Sequence, residues 1–145
     1  MTAVDTNILV YAHRTDSPHH DRARAWLRST AEGPAAWGLP WPCVHEFIAV
    51  VSNPRIFRND PTPMSLALQQ VEALLNSPSV VLLRENSAYW RMLKSLVTNR
   101  TVLGARIHDA RIYALCLSQG VRRLSTADRD FELFEGLDLF DPTSG

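Results

Sequence analysis

The chain has 145 residues, 46% apolar and 21% charged, with a formal net charge of zero. That length and balance suit a single folded domain over 1–145, frayed at most over 142–145, and exclude a disordered or fibrous chain. No apolar run approaches the ~18–20 residues that span a bilayer, and Cys43 and Cys116 show neither CxxC nor zinc-site spacing, so the expectation is a cytoplasmic protein with buried free thiols and no membrane contact.

Thr2-Ala3-Val4 reads as a short buried strand, with no basic stretch and apolar core of a secretory leader before it. Asp5-Thr6-Asn7 reads as a turn into a helix that carries Ile8 to Ala12. Residues 19–29 set Ala23, Trp26 and Leu27 at helical spacing among Arg22, Arg24 and Arg28, an amphipathic helix that Gly33-Pro34 breaks. Residues 36–41 read as a second strand, and Pro42 opens a helix through Val51 that Asn53-Pro54 stops. Beyond a loop flanked by Pro61 and Pro63, Met64, Leu68, Val71 and Leu75 form the stripe of another helix. Residues 79–83 are a β-rich run after Pro78, 87–97 a helix, and Gly104 precedes a strongly apolar helix ending at Gly120. Residues 121–126 and 136–140 read as further strands.

Strands alternating with helices imply an α/β fold, with a mostly parallel sheet covered on both faces. In such sheets ligands gather beyond the carboxyl ends of the strands. Asp5 and Asp128 each follow a predicted strand, which makes acids 123 positions apart candidate neighbours. The charge is unevenly spread. Residues 84–123 carry eight basic residues against two acids, and residues 128–145 carry six acids against one Arg. A basic rim beside an acidic site is one reading, and solvated helix faces the other. Fourteen of the fifteen basic residues are Arg, which suits bidentate phosphate contacts.

Two mid-helix acids stand out. Helical spacing puts Cys43, Ala49 and Val50 on the face of Glu46, and Ala105, Ile112 and Cys116 on the face of Asp109. Both carboxylates are therefore expected on apolar stripes, whereas Glu72 has Gln69 and Asn76 beside it and can face water. An isolated buried carboxylate is costly, and several together raise one another's pKa unless a cation joins them. Oxygen ligands without a His/Cys cluster suit Mg²⁺ or Mn²⁺ better than zinc, and acid-lined sites of this kind hydrolyse phosphodiesters with one or two ions. Structural roles compete with this reading. Asp5 can N-cap a helix, Ser125 and Asp128 can form a capping box, and Glu46 and Asp109 can pair with Arg106 or Arg111.

Taken in order, these stretches resemble the motifs of PIN-domain nucleases. The first is Val4-Asp5-Thr6-Asn7-Ile8-Leu9-Val10-Tyr11-Ala12, the second begins at Glu46-Phe47-Ile48-Ala49 and runs to Asn53-Pro54-Arg55, the third is His108-Asp109-Ala110, and the fourth is Thr126-Ala127-Asp128-Arg129-Asp130-Phe131. The likeness spans nearly the whole chain and is nearest to the VapC-type toxins of bacterial toxin–antitoxin pairs. It implies a three-layer α/β/α sandwich and a Mg²⁺- or Mn²⁺-dependent endoribonuclease acting on structured RNA, tRNA or rRNA. It also implies a homodimer neutralised by a cognate VapB-type antitoxin, with operator DNA bound only through that antitoxin. By position, Asp5, Glu46, Asp109 and Asp128 are the site acids. Asp5 and Asp109 are direct metal ligands, and Glu46 and Asp128 are ligands directly or through water. Thr6, Asn7, Thr126 and Asp130 are supporting residues, with turn and cap chemistry as the competing role of the first three.

Other side chains carry less. His108 adjoins Asp109, but neighbours on a helix diverge by about 100°. Trp26, Trp37, Trp41 and Trp90 can stack bases or pack in a core or dimer. A haloacid-dehalogenase-like phosphatase would want a second acid where Asn7 stands, and has only Lys94 to offer as its lysine. A phosphoacceptor receiver domain likewise lacks its acidic pair near the start. A catalytically silent module that binds antitoxin, and operator DNA with it, is the remaining alternative.

Overall fold

The computed structural model describes residues 1–98 and 100–145. In chain order its elements are β1 (Thr2–Val4), α1 (Thr6–His13), α2 (His20–Glu32), β2 (Trp37–Pro40), α3 (Trp41–Val51), α4 (Met64–Leu75), β3 (Val80–Leu83), α5 (Tyr89–Thr98), α6 (Arg106–Ser118), β4 (Arg123–Ser125) and β5 (Asp138–Phe140). A 3₁₀ turn, Arg129–Leu133, lies between β4 and β5. The five strands form one sheet in the order β3-β2-β1-β4-β5, and every pairing is parallel. The chain steps outward from β1 to β2 to β3, then crosses back to lay β4 on the other side of β1. With right-handed crossovers, that reversal puts the helices between β1 and β3 on one face and α5 and α6 on the other, giving the three-layer α/β/α sandwich. The direction of winding changes between β1 and β4, where an open sheet leaves a crevice beyond its strand ends.

The core explains why each element sits where it does. Pro42 occupies the first turn of α3, where its missing N–H costs no helical bond. Cys43, Val44, Phe47 and Val51 then recur at helical spacing and are buried. Glu46, expected on this apolar stripe with Cys43, lies at its outer edge and is exposed, as is Ala49. The stripe that packs inward is set by Phe47 and Val51, one position round the helix from the arc chosen from sequence. On α6 the expected face is half right, because Ile112 and Cys116 are buried, Asp109 is partly buried and Ala105 is exposed. Both cysteines are free and buried. Trp37 is buried with its indole N–H donating to Ser77 Oγ at 3.0 Å, whereas Trp90 is exposed.

Glycine is demanded at two places. A Cβ on Gly38, in the middle layer of the sheet, would lie 2.9 Å from Leu83 Cδ1 and 3.2 Å from Ala3 Cβ. Leu83 and Ala3 are themselves fully buried and have no room to yield. Gly38→Val is therefore expected to cost about 1–3 kcal/mol by overpacking, seen as a lower urea midpoint with an unchanged m value. Gly120, at φ +77°, ends α6 and turns the chain toward β4.

One buried charge is structural. Arg14 is 7% exposed, yet it is bonded to Asp16 at 2.7 Å and to the Asp60 carbonyl at 2.6 Å, and its guanidinium lies 4.0 Å from the Phe57 ring centroid. These partners meet the cost of burying the charge and brace the α3–α4 connection. At the end of the chain Thr143 is buried and Arg22 Nη1 donates to the Gly145 carbonyl at 2.7 Å. Among the described residues, no helix is long and apolar enough to cross a membrane.

Candidate active site

Asp5 is the deepest acid. Its backbone N–H donates to the Ser125 carbonyl at 3.0 Å, extending the β1–β4 pairing just past both strands. The side chain N-caps α1, with Oδ1 accepting from the Thr6 N–H at 2.8 Å. Capping does not exhaust it. Oδ2 accepts from Thr126 Oγ1 at 2.7 Å and from Asn7 Nδ2 at 3.1 Å. The expected turn at Asp5-Thr6-Asn7 is in fact the first turn of α1, entered directly from β1. Asp5 is 5% exposed, and burial pushes its carboxyl up to about 6. The bonds from Thr126 and Thr6 oppose that rise, while the charges of Glu46 and Asp128 add to it.

Thr126 connects the two strand ends. Its hydroxyl donates to Asp5 and accepts from Asn7 Nδ2 at 3.1 Å and from the Asp128 N–H at 3.0 Å, which uses its full hydrogen-bonding capacity. Asn7 Oδ1 in turn accepts from the Ala127 N–H at 3.2 Å. Thr6 reaches the other way, donating from Oγ1 to Glu46 Oε2 at 3.0 Å. Thr6, Asn7 and Thr126 thus each hold an acid, or the backbone carrying one, in place. Asn7 occupies the position where a phosphatase would need a second acid, and it serves as an amide donor there.

Asp128 follows β4 and caps the 3₁₀ turn, with Oδ1 accepting from the Asp130 N–H at 2.9 Å. Ser125 is not part of a capping box. Its hydroxyl is the one buried side-chain polar atom among the described residues with no hydrogen-bond partner. Asp109 enters from the first turn of α6. Carboxylate oxygens of Asp109, Asp128 and Asp130 lie within 4.8 Å of one another. Burial raises the Asp109 carboxyl first, then the charges of Asp128 and Asp130, with Arg106 opposing.

Asp5, Thr6, Asn7, Glu46, Asp109 and Asp128 line one open depression of about 270 Å³, together with Val10, Tyr11 and Val50. Asp130 stands beside it, its Oδ1 3.4 Å from Arg106 Nη2. Asp5 itself lies outside the tight Asp109–Asp128–Asp130 group. The donor set is all oxygen, one acid is buried against its ionised form, and a second is raised by burial and then by its acidic neighbours. A hard divalent cation resolves that crowding, so the residues present fit Mg²⁺ or Mn²⁺.

Val50, read on the face of Glu46, and Val10 and Tyr11, read within the first motif, were not named as site residues, because apolar residues next to a site acid look like any other core positions. Arg106 was visible only as a partner, with Arg111, for Glu46 or Asp109. Its contact with Asp130 depends on how residues 100–106 turn into α6. His108 is exposed and does not line the depression. Of the eight basic residues in 84–123, three form ion pairs among the described residues: Arg106 with Asp130, Arg111 with Glu85 at 2.8 Å and Arg123 with Asp138 at 2.8 Å.

Comparison with known proteins gives the same picture at three levels. The PIN domain family matches residues 2–137. Ribonuclease VapC43 of Mycobacterium tuberculosis is 37% identical over 145 residues, covering 100% of this chain and 97% of that protein. In fold, the chain is similar to VapBC2 from Rickettsia felis bound to a DNA fragment from its promoter, with TM-score 0.70, 16% identity and 97% of each chain covered. It is also similar to Mycobacterium tuberculosis VapC20, a sarcin-ricin loop cleaving toxin, with TM-score 0.67, 15% identity, and 94% of this chain and 98% of that one covered.

Proposed function

The chain belongs to the PIN-domain family, in its VapC-type branch, and from that membership we propose that it is a metal-dependent endoribonuclease toxin. The observation that carries the reading is the acid-lined depression at the ends of β1 and β4. Four stretches far apart in sequence deliver Asp5, Glu46, Asp109 and Asp128 to it.

Asp5, Asp109 and Asp128 would hold Mg²⁺ or Mn²⁺, with Asp130 closing the set from the rim and Glu46 acting directly or through water. Such a cation, when bound, supplies Lewis-acid activation of water and neutralises charge on the leaving oxygen. The chain's own groups do the rest. Thr126 and Asn7 fix Asp5 in one orientation, so its charge is preorganised. Thr6 holds Glu46 Oε2, and Glu46 accepts no other hydrogen bond among the described residues, leaving Oε1 available to water. The RNA 2′-hydroxyl takes no part in direct attack by water on phosphorus.

The substrate class we propose is structured RNA, tRNA or rRNA, as for the fold neighbour that cleaves the sarcin-ricin loop. The proposed partner is a VapB-type antitoxin, through which operator DNA would be bound, in keeping with the VapBC2 neighbour bound to promoter DNA. Leu27, Ala31 and Leu74 line a groove of about 500 Å³ between α2 and α4 that suits an antitoxin's apolar segment. Exposed Trp90 and Leu103 give a homodimer apolar surface to cover. The test is to incubate antitoxin-free protein with total cellular RNA plus Mg²⁺, Mn²⁺ or chelator. Discrete cuts that need the metal and disappear when the neighbouring VapB-type protein is added support the reading. Intact RNA under every condition, from antitoxin-free protein that is folded and still able to bind the antitoxin, would favour the silent module.

A further inference from the structure

We propose that Arg106 is an exchangeable partner of Asp130: it neutralises that acid in the metal-free protein, yields it to a divalent cation held at Asp109, Asp128 and Asp130, and then contacts an RNA phosphate at the same site. The inference rests on the metal-dependent nuclease reading above.

Arg106 is singled out by where it is paired. Among the described residues, it is the one Arg whose ion pair involves an acid of the site. Arg129, although next in sequence to Asp128 and Asp130, pairs with Glu132 instead. Arg106 begins α6 and stands three residues before Asp109, so both project from one helix face. Its charge bears on Asp109 as well, opposing the rise of that carboxyl. The guanidinium therefore sits beside two acids of the group while touching the more exposed of them.

The pair is built to part easily. Its separation is 3.4 Å, longer than the ~2.7–2.9 Å of a charge-assisted hydrogen bond, and its side chains are 45% and 54% exposed. Exposed pairs of this kind hold weakly. The Asp130 backbone is anchored separately, through its N–H to Asp128 Oδ1 at 2.9 Å. Losing Arg106 would thus leave Asp130 beside the other acids. The site also needs a positive group for its substrate, because crowded carboxylates repel a phosphodiester. A released guanidinium on the Asp109 face has the fork geometry for phosphate oxygens.

The test is a double-mutant cycle read by Mn²⁺ calorimetry at constant ionic strength. Arg106→Gln is expected to tighten Mn²⁺ binding about two- to fivefold, the scale of an exposed ion pair. In an Asp130→Asn background, the same change is expected to have a clearly smaller effect, the remainder being the Arg106 charge acting on Asp109. Arg106→Lys, which keeps the charge, separates loss of the pair from loss of the fork. A second arm measures single-stranded RNA binding by anisotropy in Mn²⁺ across a salt series, on an Asp5→Asn background that blocks cleavage. There Arg106→Gln is expected to reduce the salt slope by about 0.7, one phosphate contact fewer. If Arg106→Gln tightens Mn²⁺ equally with and without Asp130, the Arg acts through general charge and the exchange is wrong. An unchanged salt slope overturns the phosphate contact. Failure of the unaltered protein to bind Mn²⁺ would overturn the metal reading of the site itself, and this inference with it.

Discussion

Asp109→Asn and Asp5→Asn are each expected to lower metal-dependent RNA cleavage on the order of a thousandfold or more, the scale of removing a group that positions the reacting water or its cation. The two should fail for different reasons. Asp109 supplies one of the three carboxylates within 4.8 Å of one another, so an amide there removes a charge from the cation's immediate surroundings. Asp5 lies deeper and accepts from Thr6, Asn7 and Thr126. An Asn at position 5 keeps a carbonyl for the Thr6 N–H, but its amide end faces donors at Asn7 and Thr126. The expected result is lost activity in both variants, with near-normal circular dichroism for Asp109→Asn and a perturbed β1–β4 junction for Asp5→Asn. The check is a single-turnover cleavage rate beside a urea melt. Wild-type rates in either folded variant would remove that acid from the mechanism.

The second large effect is a pH-dependent response of stability to metal. The Asp5 carboxyl stands at about 6 in the folded chain against 3.8 for the free group. A raised folded value means that the folded state binds the proton more tightly. Asp5 thus contributes stability that is fully present below about pH 3.8 and is lost as pH rises through about 6. That gap corresponds to roughly 3 kcal/mol. Asp109 is raised as well and acts in the same direction. In chelator, the site is therefore expected to weaken the fold between pH 4 and pH 7. Mg²⁺ or Mn²⁺ should recover that loss near neutral pH and do little near pH 4.5, where protonated carboxyls bind cations poorly. Urea melts at both pH values, with and without metal, measure this. A metal-induced shift of equal size at both would contradict it.

Much of the fold was legible because helix and strand periods differ and the punctuation is strong. Pro42, Asn53-Pro54, Gly104 and Gly120 bracket elements close to where they begin and end. The strands were read long at their ends. Residues 79–83 and 121–126 carry apolar or β-branched residues up to or near both ends, but the ladder spans only Val80–Leu83 and Arg123–Ser125, since pairing depends on neighbours that propensity does not see. The 3₁₀ turn at Arg129–Leu133 has no apolar period and is nucleated by the Asp128 cap, so pattern reading passes over it.

The site was legible in a different way. Asp5 and Asp128 could be read as candidate neighbours because each follows a predicted strand, and the folded sheet lays those two strands side by side at its reversal. Glu46 was placed within the apolar stripe of α3 rather than at its outer edge. A helix carrying apolar residues on most of its circumference does not reveal which side packs inward, and here Phe47 and Val51 decide it. Thr126 shows the limit of local reading. Its hydroxyl bond to Asp5 spans 121 positions, and nothing in Thr126-Ala127-Asp128 distinguishes that role from an ordinary turn. The Arg106–Asp130 contact was beyond reach for the same reason, as it needs two loops to be folded first.

The most direct test of the account is the chemistry of the ends left by cleavage. RNA cut by the antitoxin-free protein in Mg²⁺ is to be probed for 5′-phosphate by a monophosphate-dependent exonuclease, and for 3′-hydroxyl by direct ligation. Attack by water on phosphorus at the acid cluster predicts 5′-phosphate and 3′-hydroxyl ends that vanish with chelator. Ends carrying 2′,3′-cyclic phosphate and 5′-hydroxyl would mean that the RNA's own 2′-hydroxyl is the nucleophile, and would contradict the mechanism derived from Asp5, Glu46, Asp109 and Asp128.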